Sequence, residues 1–227
     1  MDFYGYDIIQ RHYINKNANE AIDEFDAKVN EINQNYIKNE NINTNININN
    51  ENLSLEEQNN ENNNINSSNS SNNSNSSSSS SSSTSSKSSS KIQMQYRGFE
   101  VAGKIEIPKI KLSYPVLTTA SLSSMKVSVG IIYGPGLNEI GNTVIMGHNY
   151  KNGSLFSNNK KLRNGDLIYI TDLSGNRIEY VIYNRYYTSS TDFDYATRQT
   201  DGRREISLES CSDDSKTRLI IWARENK

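Results

Sequence analysis

From Ala18 the apolar residues step forward by four and three, at Ile22, Phe25, Val29, Ile32 and Tyr36, while Glu20, Asp23, Glu24, Asp26, Lys28 and Glu31 fill the positions between them. That spacing puts the apolar side chains on one stripe, so it predicts an amphipathic helix within residues 1–38. Such a stripe docks on its own domain, remains a solvated stalk, or self-associates as a short coiled coil. Beyond about Asn39 the pattern fades. Residues 39–91 are Asn, Ser and Glu with isolated isoleucines and end in near-continuous serine. Neither half of that segment can bury enough apolar surface to offset the chain entropy lost on folding, which predicts a disordered linker. As a flexible coil it would have an r.m.s. span of roughly 35–45 Å.

Over residues 92–227 the pattern changes to short runs of β-branched and aromatic residues broken by turn signals. The runs predict strands over 103–107, 113–117, 129–133, 142–146, 167–172, 177–187, 205–211 and 218–224. Arg163-Asn164-Gly165-Asp166 and Leu173-Ser174-Gly175-Asn176 mark turns between them, and short helical turns fit 121–125 and 154–158. Many short strands at such spacing argue for an all-β barrel or sandwich large enough for a core, with Ile220 and Trp222 packed in it.

Composition changes this picture little. The apolar share is 33% because the linker dilutes a normal C-terminal half, and the net charge of −2 gives no reason to expect nucleic acid as a partner. Gly134-Pro135-Gly136 lacks the Lys-Ser/Thr of a phosphate-binding loop. One cysteine excludes an intrachain disulfide and a cysteine-based zinc cluster. There is no apolar run of the roughly 18 residues that a spanning helix needs, and the first residues do not read as a signal peptide. No cofactor is expected. Asp192, Asp194 and Asp201 could be weighed as a calcium site, but carboxylates so spaced read as solvated and no metal site is expected.

The chemistry concentrates at three strand ends. An alternating run leads into Cys211, a polar turn follows, and Arg218 opens the next apolar run, so the two residues should face each other on adjacent antiparallel strands. His148 ends the short apolar run Thr143-Val144-Ile145-Met146. Taken singly, each has a structural explanation: a small buried thiol, a loop imidazole, a solvated guanidinium. Together they supply a nucleophile, a proton carrier and an oxyanion donor, the three roles that acyl transfer needs. Histidine preceding cysteine is opposite to the papain-like order.

Four motifs then resemble one family. Ile105-Glu106-Ile107-Pro108-Lys109-Ile110 resembles the first barrel strand of the sortases, the cysteine transpeptidases of Gram-positive surfaces. Gly141-Asn142 with Gly147-His148 resembles their histidine-bearing strand, and Leu162-Arg163-Asn164-Gly165-Asp166 resembles their Leu-x-x-Gly-Asp turn. Ser207-Leu208-Glu209-Ser210-Cys211 resembles their Thr-Leu-x-Thr-Cys signature with serine for both threonines. The resemblance covers about residues 103–225. It implies a closed eight-stranded β-barrel after the helix and linker. It also implies that Cys211 attacks a sorting-signal carbonyl to form a thioester, that His148 moves the protons, and that Arg218 stabilises the oxyanion or positions the peptide.

The segment 187–202 would line the substrate groove, with Ser190, Asp192, Tyr195 and Ser210 as peptide-contacting residues. The implied partners are a sorting-signal peptide and an acceptor: an amine of the peptidoglycan precursor, a pilin lysine, or water. Prolines occur only at 108, 115 and 135, so the Asp-Pro-aromatic lid of pilin-assembling members is not expected, and an anchoring enzyme, housekeeping-like or class B- or D-like, is favoured. Members of the family are tied to the outer face of the membrane by an N-terminal helix, so residues 3–36 would be juxtamembrane, with the anchor itself outside this chain. The alternatives are a sortase-like peptidase releasing product to water, a pilin-linking enzyme, and a non-catalytic surface-binding module in which Cys211 is merely core.

Overall fold

Residues 3–56 and 93–227 are described by the structure, a computed structural model. The first element, α1 (Phe3–Glu56), continues past the expected end at residue 38. No glycine or proline lies between Gly5 and Glu56 to stop it. Of the linker expected over 39–91, the part after Glu56 lies outside the described residues. Contacts divide the chain into two units, Met1–Asn33 with Ser90–Lys227, and Gln34–Ser89. Among the described residues no helix is long and apolar enough to cross a membrane.

Nine strands follow: β1 (Gln95–Tyr96), β2 (Phe99–Ile107), β3 (Leu112–Leu117), β4 (Val129–Tyr133), β5 (Gly141–Met146), β6 (Leu167–Asp172), β7 (Arg177–Ser189), β8 (Arg204–Cys211) and β9 (Thr217–Glu225). Their order is β1-β2-β3-β4-β5-β8-β9-β7-β6, and a further β2–β6 pairing closes β2 to β9 into an eight-stranded barrel. Closure decides between the barrel and sandwich that the strand pattern alone allowed. The eight strands read from the sequence are those of the barrel, and the two-residue β1 is too short to show a period. The helical turns at 121–125 and 154–158 form as short 3₁₀ turns displaced along the chain, at Ser124–Lys126 and Phe156–Lys161.

Alternation along each strand sends one set of side chains inward. Ile105, Ile107, Val116, Val129, Ile145, Ile168, Ile170, Ile206, Leu208, Leu219, Ile221 and Ala223 fill the barrel interior. Part of the outer face is covered as well. Val144 of β5 and Ile220 of β9 are buried there under Tyr195 and Ala196 from the segment joining β7 to β8. This is why β8 is buried on both faces rather than alternately.

The helical stripe docks on its own barrel. Ile14, Ala18, Ala21, Ile22 and Phe25 are all buried, the last fully. Ala21 and Phe25 pack with Met94, Tyr96, Val101 and Leu117, with Val29 and Ile32 partly buried against the same cluster. Asp26 receives the Nζ of buried Lys104 of β2 at 2.5 Å, which gives an otherwise costly interior ammonium its counter-charge. Phe25→Ala should therefore lower unfolding stability by about 3 kcal/mol or more, read from urea denaturation of the full chain. A loss below about 0.5 kcal/mol would mean that the helix does not dock.

Candidate active site

The site is built by two strand pairings that share β8. On one side, β9 runs antiparallel to β8 and its register sets Cys211 opposite Arg218. On the other, β5 runs parallel to β8 with Met146 opposite Glu209, and the next amide, Gly147 N–H, donates to Glu209 O at 3.1 Å. The same register carried forward sets His148 level with Cys211. A thiol, an imidazole and a guanidinium thus come from three adjacent strands at one end of the barrel. Cys211 and His148 are half-buried, and the Arg218 side chain is 23% exposed. Alternation puts Leu208 and Ser210 on the interior face of β8, so Ser207, Glu209 and Cys211 share the outer face.

Local sequence explains why the chain turns where His148 stands. A Cβ on Gly147 would lie 2.7 Å from Val129 Cγ1 and 2.8 Å from the Phe156 ring, so only glycine lets β5 pass. The loop is then closed by Phe156 N–H donating to His148 O at 3.1 Å and by a bridge between Asn149 and Leu155. Asn149 Nδ2 donates to Cys211 O at 3.1 Å and to Asp213 Oδ1 at 3.0 Å, joining the histidine loop to the turn after the cysteine. Lys160 Nζ holds the other Asp213 oxygen at 2.7 Å.

Charge at the site follows from burial. His148 sits below its ordinary pKa because burial disfavours the imidazolium and Lys126 adds repulsion. Its ring lies 5.0 Å from that of Tyr150. Glu209, 2% exposed, is pushed up by burial, with the Tyr195 hydroxyl and the Arg218 guanidinium pulling the other way. Tyr195 Oη donates to Glu209 Oε2 at 2.6 Å, and Arg218 Nε lies 3.4 Å from Glu209 Oε1. Asp213 is lowered by Lys160 and Asn149.

Of the residues expected to contact substrate, Ser190 is exposed and Asp192 half-exposed in the β7–β8 segment. Asp192 accepts from the Thr188 hydroxyl and from Asp194 N–H, the latter at 3.0 Å. Ser210 is buried on the interior face, and the Tyr195 side chain turns inward onto Glu209. Three residues of the site were not singled out from the sequence: Asn149, Glu209 and, in its structural role, Asn142. Asn142 Nδ2 donates to the carbonyls of Tyr195 and Ala196, each at 3.0 Å, and its Oδ1 accepts from Ser207 at 2.9 Å, pinning the β7–β8 segment to the sheet. Glu209 carried a readable signal, because an acid two residues before Cys211 must share its face.

With this geometry in hand, the relatives are informative. A family model described as Sortase domain matches residues 105–226. Sortase A of Bacillus anthracis is 30% identical over 125 residues, which make up 53% of this chain and 58% of that protein. Two solved structures share the fold at 24% identity. Sortase A from Corynebacterium diphtheriae has a TM-score of 0.52 over 57% of this chain and 62% of that one. Clostridium perfringens sortase C with the C-terminal cell wall sorting motif has a TM-score of 0.51 over 56% of this chain and 71% of that one. The chain belongs to the sortase family. It spans less than two thirds of the curated relative it matches.

An NMR titration of His148 should give a midpoint below the ordinary imidazole value of 6.5. Lys126→Glu should raise that midpoint, because it replaces a repelling charge with an attracting one. A midpoint at or above 6.5 in the parent chain would contradict the burial assigned to the ring.

Proposed function

We propose that this protein is a sortase-type cysteine transpeptidase with Cys211 as nucleophile, His148 as proton carrier and Arg218 as oxyanion donor. The observation that carries the reading is the shared rung of β8 and β9, which sets Cys211 opposite Arg218, beside the histidine loop that Asn149 fastens to the Cys211 carbonyl. A core cysteine in a binding module would need neither partner.

In the first half-reaction the Cys211 thiol gives its proton to His148, and its sulfur attacks the carbonyl carbon of a Thr-Gly or similar bond in a sorting-signal peptide. Negative charge gathers on the carbonyl oxygen, where the Arg218 guanidinium meets it. The C–N bond breaks as the leaving nitrogen takes a proton from His148, giving a thioester and a free amine. Because burial and Lys126 weaken the proton's hold on the imidazolium, that form is the better acid for this step. In the second half-reaction an incoming amine loses its proton to His148 and attacks the thioester, and the Cys211 thiolate leaves. One amide is exchanged for another, and no oxidant, metal or cofactor enters the balance.

The substrate is a sorting-signal peptide, a reading supported by the sorting motif bound in the Clostridium perfringens sortase C structure. It lies along the β7–β8 segment, where Ser190 and Asp192 face solvent and contact it, while Tyr195 and Ser210 act from beneath. The acceptor is an amine of the cell-wall precursor, and the protein works at the outer face of the membrane.

Intact-mass spectrometry tests this directly. The full chain and Cys211→Ala are incubated with Leu-Pro-x-Thr-Gly-like and Asn-Pro-x-Thr-like peptides, with and without a glycine-based amine. The expected outcome is a mass gain on the parent chain only, discharged by the amine into a ligated product. Adducts that discharge to water whether or not amine is present would make the enzyme a peptidase. No adduct, with Cys211 also inert to alkylation, would leave a binding module.

A further inference from the structure

Glu209 is a carboxylate inside the protein, 2% exposed, on the strand that ends at Cys211. Burying a carboxylate is expensive unless charge and hydrogen bonds compensate it. Among the described residues its compensating partners are two: the Tyr195 hydroxyl at 2.6 Å and Arg218 Nε at 3.4 Å. Neither partner belongs to the cluster that fills the barrel interior, on the opposite face of β8, although the Tyr195 ring also packs on Val144 and Ile220 of the outer face. A buried ion pair contributes little net stability compared with an apolar pair of the same volume, so its value lies in fixing a geometry.

Register shows which geometry is fixed. Glu209 is two residues before Cys211, on the same outer face and one same-face step back along β8. Arg218 is directly opposite Cys211, and Ile220 is opposite Glu209. The ion pair is therefore a diagonal across two rungs, drawing the Nε edge of the guanidinium forward along β9, toward Ile220. Arg218 Nη1 reaches its neighbour's carbonyl, Thr217 O, at 3.4 Å, and Nη2 has no acceptor among the described residues. With Nε held, the Nη groups remain for a substrate oxygen.

Tyr195 belongs to the segment between β7 and β8, and its own carbonyl is held by Asn142 of β5 at 3.0 Å. A continuous line of contacts thus runs from Asn142 through Tyr195 and Glu209 to Arg218, beneath the segment proposed to take the peptide.

We propose that Glu209 is a positioning residue for acyl transfer: its carboxylate, oriented by the Tyr195 hydroxyl, holds the Arg218 guanidinium in the orientation that meets the oxyanion. This deepens the proposed transpeptidase function and rests on it.

The test uses the full chain and a peptide that acylates it, with single-turnover thioester formation read by intact mass. Glu209→Gln keeps an acceptor for Tyr195 but removes the charge that holds Arg218. It should lower kcat for acylation by about tenfold or more with KM within about twofold, while alkylation of Cys211 in the free enzyme stays within about twofold. Tyr195→Phe should fall in the same direction by a smaller factor. In an Arg218→Ala background, Glu209→Gln should add less than about twofold, since the residue it positions is gone.

Equal losses from Glu209→Gln with and without Arg218 would overturn the inference and make Glu209 structural. A parent chain that acylates beside an equally fast Glu209→Gln overturns it alone, whereas a parent chain that never acylates overturns the transpeptidase reading and this inference together. If Glu209→Gln fails to fold, Tyr195→Phe in the two backgrounds gives the same comparison: a loss confined to the Arg218 background supports the inference, and equal losses overturn it.

Discussion

The register of β8 is the constraint on which the site depends. It pairs with β9 so that Cys211 meets Arg218 and with β5 so that the residues after Met146 run level with the cysteine. A slip of one residue in either ladder would turn the paired side chain to the opposite face of the sheet. Register is strongly specified here because Ile206 and Leu208 of β8, Leu219 and Ile221 of β9 and Ile145 of β5 must all enter one interior. The apolar core and the candidate chemistry are therefore two readings of one alternation: what packs the barrel also aims the thiol, the imidazole and the guanidinium outward at one end.

Support for the histidine loop comes from farther away. Tyr114 of β3 accepts Leu155 N–H at 3.1 Å with its hydroxyl oxygen and donates its proton to Asn15 of α1. Leu155 is the residue that bridges Asn149, next to His148. Arg11, one turn earlier on α1, reaches Asn152 O at 3.4 Å. The docked helix thus touches both the wall of the barrel and the loop that carries the imidazole. Its apolar stripe supplies the adhesion, and two polar side chains set where it presses. On the other flank, Asn142 and Tyr195 hold the β7–β8 segment over β5 and β8.

Much of this was legible in the chain. Eight strands were readable as runs of β-branched and aromatic residues between turn signals, although β8, buried on both faces, keeps no clear period of two. The facing of Cys211 and Arg218 was readable from a polar turn between an alternating run and an apolar one. What alternation could not supply was closure: β2 pairing with β6 joins strands distant in sequence, and parallel β5–β8 pairing leaves no turn to read. Where α1 ends was not legible for a different reason. Low apolar content argues against a packed core, but the absence of glycine and proline removes the stop signals that would end the helix. Asn149, and the structural role of Asn142, were not legible because both act largely on backbone carbonyls that any residue could offer. Glu209, by contrast, stood in plain view inside the cysteine motif, and only its burial shows that it needs a cation.

The proposed function requires that three strand ends form one acyl-transfer site on the outer face of the barrel. The most direct measurement is a crystal structure of the full chain with a sorting-signal peptide trapped covalently on Cys211 through a carbonyl-mimicking electrophile. The mimic's oxygen should lie within hydrogen-bond reach of the Arg218 guanidinium, with the His148 ring beside the leaving-group position and the peptide along the β7–β8 segment. A peptide joined to Cys211 with its oxygen turned away from Arg218, or with His148 out of reach of the reacting bond, would contradict it.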